Sequence, residues 1–167
     1  MQGKWLAIVL VCTAFSANGQ VLDTKEKRMV EWIDSHAEEA IALLEETVNI
    51  SSGTMNHAGV QEVGRVMRRE LDELGLETEW IDMPEAVDRA GHLFGRKLDG
   101  SGKKFLMIGH LDTVFEADDA FQAFVRNGDT GVGPGVEDMK SGNVIIVYAL
   151  KALQVAGVLD EIPVVVA

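Results

Sequence analysis

The chain holds a single cysteine, Cys12, among its 167 residues. An intrachain disulfide and a thiolate zinc site are both excluded, so any transition metal must be held by His, Asp and Glu. Histidine is scarce, with four in the chain. Positive charge is in short supply too: 15 Lys and Arg stand against 27 Asp and Glu, a formal net charge of -12. A domain that acidic repels phosphate backbones, which argues against a nucleic-acid partner. No stable membrane span is expected either. The apolar run at the N-terminus, Trp5 to Phe15, falls well short of the roughly 20 residues a helix needs to cross a bilayer.

What is present fits one globular domain of ordinary size, 47% hydrophobic and 25% charged. Residues 1–19 read as a secretory signal peptide: Lys4 gives a positive start, the apolar run follows, and Ala17-Asn-Gly19 offers small residues for cleavage before Gln20. That implies export, to a periplasm or outside the cell. A buried N-terminal helix is the competing reading. Lipid anchoring through Cys12 is less favoured, because Val11 is larger than the small residue that usually precedes an anchored cysteine.

From Asp23 to about Asn49, Met29, Val30, Ile33, Ala37, Ala40, Ile41, Leu44 and Val48 recur in steps of three and four, one face of a single helix. Val60, Val63, Met67, Leu71 and Leu74 mark a second helix from about His57 to Leu74, with Gly75 as its stop. Glu77 to Asp82 and His92 to Leu98 read as strands. His92, at the start of a strand, is assigned to the rim opposite an α/β site and so to a structural role; His57 is a surface residue. Lys140 to Ala156 is apolar on nearly every side and reads as a buried helix, and Ile162 to Ala167 as a last strand.

Two stretches carry chemistry. Phe105 to Ile108 is a short apolar run stopped by Gly109, which fits a buried strand. His110 then sits just past its C-terminal end, where ligands bind in open α/β sheets. Asp112, two residues on, lies on the same side and can bond the second ring nitrogen, fixing the tautomer of a metal-ligating histidine. A strand-end histidine that is merely hydrogen-bonded has the same local pattern. In the second stretch, Gly133-Pro134-Gly135 makes a tight loop that presents Asp138 at the start of an apolar segment. An aspartate there is by default an N-cap. A carboxylate can also bridge two cations, whose spacing in two-metal hydrolytic sites is about 3.5–4 Å.

His110-Leu-Asp-Thr-Val114 followed by Gly133-Pro-Gly-Val-Glu-Asp-Met-Lys-Ser-Gly142 closely resembles the two N-terminal signatures of the dinuclear zinc amidohydrolases that include glutamate carboxypeptidase, aminoacylase and succinyl-diaminopimelate desuccinylase. The glutamate carboxypeptidase branch is the nearest match, and the resemblance runs from about Glu31 to Ala167. It implies that His110 binds one zinc, that Asp112 serves the catalytic centre by orienting it, and that Asp138 bridges two zincs. It also implies a cis peptide between Asp138 and Met139. Ser141 stands where many members carry a glycine.

In that family the general-base glutamate, its zinc-binding neighbour and further ligands come after the strand that here reaches Ala167. Glu137 and Glu161 do not occupy those motif positions. The resemblance therefore implies that residues 20–167 are the N-terminal part of a catalytic domain with an incomplete zinc site. The expected fold is a three-layer α/β/α domain with a mostly parallel sheet. The expected parent activity is hydrolysis of a peptide or N-acyl amino acid by metal-activated water, homodimeric only at full length, the isolated piece being inactive. The alternative is a non-catalytic secreted binding module of the same fold.

Overall fold

A computed structural model describes residues 21–167. The segment read as an export signal lies outside them. The elements are α1 (Thr24–Ser35), α2 (Ala37–Val48), α3 (His57–Glu73), β1 (Glu77–Ile81), β2 (His92–Lys97), β3 (Phe105–Met107), β4 (Val125–Asn127), β5 (Thr130–Val132), α4 (Ser141–Val155) and β6 (Val164–Val166). Among the described residues, no helix is long and apolar enough to cross a membrane.

The expected single N-terminal helix is two. α1 opens with a capping box, in which the Asp23 carboxylate accepts from the Glu26 amide and the Glu26 carboxylate accepts from the Asp23 amide. It ends at His36, whose Nδ1 lies 2.7 Å from the Trp32 carbonyl, while the Ser35 hydroxyl donates to the same oxygen at 2.9 Å. Side chains that compete for a helix carbonyl offer the backbone a way out of the helix, and the periodicity of apolar residues carries no trace of it.

α3 follows the pattern closely. Val60, Val63, Met67, Leu71 and Leu74 are all buried, none more than 5% exposed. Each such burial is worth roughly 1.5–3 kcal/mol. Met67, Leu71 and Leu74 join Leu43 of α2, Val144, Val147 and Leu150 of α4, Leu93 of β2 and Val164 of β6 in one core. α4 is less enclosed than its composition suggests, because Ile145 is 67% exposed.

The sheet order is β1-β2-β6-β3, with β4 and β5 forming a separate hairpin. β1 pairs antiparallel with β2, and β2 antiparallel with β6; only β3 and β6 run parallel. The α/β class stands, but the sheet is mixed where a mostly parallel one was expected. The physical reason is the connection: residues 82–91 carry no crossover helix, and a strand that turns back without one returns antiparallel. Nor do the described residues complete three layers. Leu93 and Gly95 of β2 face the helices, a Cβ at Gly95 meeting Leu71 at 3.0 Å. On the opposite face, Leu106 and Ile108 remain 62% and 68% exposed. β3 is thus an end strand of this sheet, not the buried strand its apolar run suggested.

Candidate metal centre

His110 lies just beyond β3. Its neighbour Gly109 is tied to the end of β6 by a backbone bond to the Ala167 carbonyl, 2.9 Å. On the other side, Thr113 pairs with the loop after α2, donating to the Ser52 carbonyl at 2.8 Å and accepting from the Thr54 amide at 3.0 Å. The histidine loop is therefore held at both ends by backbone bonds. Asp138 sits in the turn over residues 136–140 that leads into α4, and the expected cis peptide follows it at Asp138-Met139. Gly135 opens this turn with φ +73, and a Cβ there would meet the Thr113 methyl at 2.5 Å. Only glycine meets both demands.

Lys140 closes the turn. Its side chain is buried, and Nζ donates to the carbonyls of Thr47 and Ile50 at 2.8 and 2.9 Å. The end of α2 thereby grips the Asp138 turn. Burial without a carboxylate partner pulls the Lys140 pKa down to about 8.

The three sequence-predicted residues meet. His110 Nε2 is 2.9 Å from Asp138 Oδ1. His110 Nδ1 is 3.0 Å from the Asp112 backbone carbonyl, and the Asp112 carboxylate Oδ1 stands 3.2 Å away. The other carboxylate oxygen, Oδ2, accepts from the Thr54 hydroxyl at 2.6 Å. Asp138 is not an N-cap, since α4 begins with no side-chain cap bond. The order of contacts is thus Thr54, Asp112, His110, Asp138, drawn from three separate segments.

This order decides the protonation of the ring. Both neighbours of Nδ1 are acceptors, so Nδ1 carries the hydrogen and donates it. Nε2 then presents its lone pair to a carboxylate oxygen at hydrogen-bond distance, which is repulsive unless a positive charge lies between them. A proton or a metal ion supplies it. Burial alone would lower the His110 pKa. The hydrogen bonds to Asp138 and Asp112, with their negative charges, outweigh that and raise it above the usual 6.5.

The donor chemistry, one imidazole nitrogen and one carboxylate oxygen, suits zinc. Two ligands at about 2.1 Å from a tetrahedral ion lie about 3.4 Å apart, so His110 and Asp138 need open by only a few tenths of an ångström from their 2.9 Å contact. The set is partial, however. Among the described residues no group of three or more His, Cys, Asp or Glu is arranged to hold a metal ion.

A cavity of about 350 Å3 opens beside the pair, lined by His110, Asp112, Thr54, Arg89, His92 and the apolar flank of α3 and α4 among others. His92 is a correction. Because β2 runs antiparallel to β6, the start of β2 lies at the rim where β3 and β6 end, on the same side as His110 and not the opposite one. His57 lies 3.6 Å from Asp88, away from the pair. Sequence reasoning missed Thr54 and Asn143, whose amide donates to the His110 carbonyl at 2.7 Å. Asn143 left a signal, as a polar residue in an apolar helix; Thr54 left none, since its partner is 58 residues away.

Residues 106–167 match the family described as Peptidase family M20/M25/M40. Across 152 residues, or 90% of its length, the chain is 30% identical to carboxypeptidase G2 of Pseudomonas sp. (strain RS-16). It spans 36% of that enzyme, about a third of the relative's length. Among solved structures it is similar to human carnosine dipeptidase 1, with a TM-score of 0.65 at 20% identity over 84% of this chain and 34% of that one. It is also similar to the dipeptidase Dug1p of Saccharomyces cerevisiae, with a TM-score of 0.67 at 17% identity over 84% and 33%. These structural likenesses speak to the fold.

Proposed function

We propose, for a chain that belongs to peptidase family M20/M25/M40 through residues 106–167, that His110 and Asp138 are ligands in the zinc centre of a metallopeptidase. The reading rests on the 2.9 Å approach of His110 Nε2 to Asp138 Oδ1, with Nδ1 already committed to Asp112. An imidazole lone pair and a carboxylate aimed at each other are the donors of a cation site.

A bound zinc would polarise the scissile carbonyl and lower the pKa of an attacking water. This chain's residues prepare for that. Asp112 holds the proton on Nδ1 and so keeps the lone pair on Nε2. Thr54 fixes the carboxylate of Asp112. Asp138, 82% exposed at its side chain, retains room for a second cation on the oxygen that His110 does not face.

The substrate class follows from the relative. Carboxypeptidase G2, by its name, removes a C-terminal residue, and we extend that to this protein as release of a C-terminal or N-acylated amino acid. Export, from residues 1–19, belongs to the same proposal.

The test is a titration of Zn2+ into the chain with a chromophoric competitor. Wild-type protein is expected to bind, and His110→Ala and Asp138→Ala each to lose that binding. Equal affinity in wild type and both variants would end the zinc reading.

A further inference from the structure

We propose that Asn143 is the positioning residue that sets the separation of His110 from Asp138 and thereby the affinity of the pair for a divalent cation. The second half of this rests on the zinc reading above; the first half does not. Asn143 lies in the first turn of α4, the helix that continues directly from the Asp138 turn. It is 8% exposed and sits beside Val144 and Val147, which are 5% and 2% exposed. A buried amide among aliphatic side chains is retained only where it is paired, and its Nδ2 donates to the carbonyl of His110 itself, at 2.7 Å.

The other end of the same amide acts on the preceding residue. A Cβ built on Gly109 would run into Asn143 Oδ1. The side chain thus covers Gly109 and grips His110, holding both residues of the bend from which the imidazole projects. Among the described residues, this is the hydrogen bond that joins α4 to that bend. It bypasses the chain between His110 and Asp138, which stand 28 positions apart, and ties both to one stiff helix. A residue that only filled space would leave the His110 carbonyl free to shift, and the imidazole with it.

The experiment uses the whole chain, Zn2+ alone as probe, and four variants. Asn143→Asp keeps the shape but replaces the donor with an acceptor; Asn143→Ala removes both. Each is expected to weaken Zn2+ binding by about ten- to a hundred-fold, the usual range for groups that orient a ligand. Gly109→Ala is expected to weaken it similarly in the wild-type background, and to add little when combined with Asn143→Ala, because the clashing oxygen is then gone. Crystal structures of metal-free wild type and Asn143→Asp give the readout that involves no metal: the 2.9 Å contact opens beyond hydrogen-bond reach. Folded variants that keep the contact and bind Zn2+ like wild type overturn the inference. Should His110→Ala bind Zn2+ as wild type does, the zinc reading fails by itself, and the contact measured in the metal-free Asn143→Asp crystal still decides the role of Asn143.

Discussion

Replacing Thr54 by Val removes one hydroxyl and tests the whole order of contacts at the site. The hydroxyl donates to Asp112 Oδ2 at 2.6 Å. The residue itself should stay in place, since its amide is anchored to the Thr113 carbonyl at 3.0 Å. Hydrogen bonds to charged groups contribute roughly 1.5–3 kcal/mol. The Asp112 side chain is 35% exposed, so water can take over part of the role, and a loss near the lower end, about 1.5 kcal/mol, is expected. The effect on zinc should be of similar size. An unrestrained Asp112 carboxylate leaves His110 Nδ1 with only the backbone carbonyl of Asp112 as a fixed acceptor, and a penalty of about 1.4 kcal/mol in binding is a tenfold weaker Kd. Urea unfolding at constant m-value gives the first quantity and a competitive Zn2+ titration the second. Thr54→Ser, which keeps the hydroxyl, should bind Zn2+ close to wild type. If the Val variant unfolds and binds Zn2+ as wild type does, the hydroxyl has no part in orienting the histidine, and the reasoning from Thr54 through Asp112 is wrong.

Gly75 ends α3 at φ +76 with nothing within 4 Å of the position a Cβ would take. Gly75→Ala should therefore cost only the left-handed backbone penalty, about 1–2 kcal/mol, measured by urea unfolding with an unchanged m-value. Lys140 is held at about 8 against an ordinary 10.5, so between those values the unfolded chain binds the proton that the folded chain has lost. Stability from this group then rises with pH across that window, and the unfolding free energies of wild type and Lys140→Met, compared at pH 8 and pH 10, should diverge in favour of wild type as pH increases.

The His110 and Asp138 pair was legible in the sequence because both residues sit in glycine-bounded motifs whose local backbone presents them. Gly135 has to be glycine for its positive φ, and that demand is written in the chain wherever the turn occurs. α3 was legible because a single amphipathic face meets a single core. α1 and α2 were fused into one helix because the break at His36 is made by side-chain bonds to the Trp32 carbonyl, and apolar spacing is blind to those.

His92 went to the wrong rim for a different reason. A mostly parallel sheet puts the start of every strand on one rim, whereas β2 turns back on β1. Residues 82–91 hold Pro84 and Gly91 but no helical period, and a parallel return needs a crossover of about a dozen residues or more, usually a helix. That connection turns β2 antiparallel to β1, and the antiparallel pairing of β2 with β6 then brings the start of β2 to the rim where β3 and β6 end. The polar residues that support the site were harder to find, and physics separates them. Asn143 stands out against an apolar helix because a buried amide must find a partner, and that partner, the His110 carbonyl, is the one thing the sequence does not name. Thr54 lies in a polar stretch whose sequence does not set it apart from Ser51 or Ser52, and its 2.6 Å approach to Asp112 is what distinguishes it. Residues that orient a site from a loop thus become visible only once long-range contacts are known, whereas those that do so from an apolar helix are marked in advance by the cost of burying them.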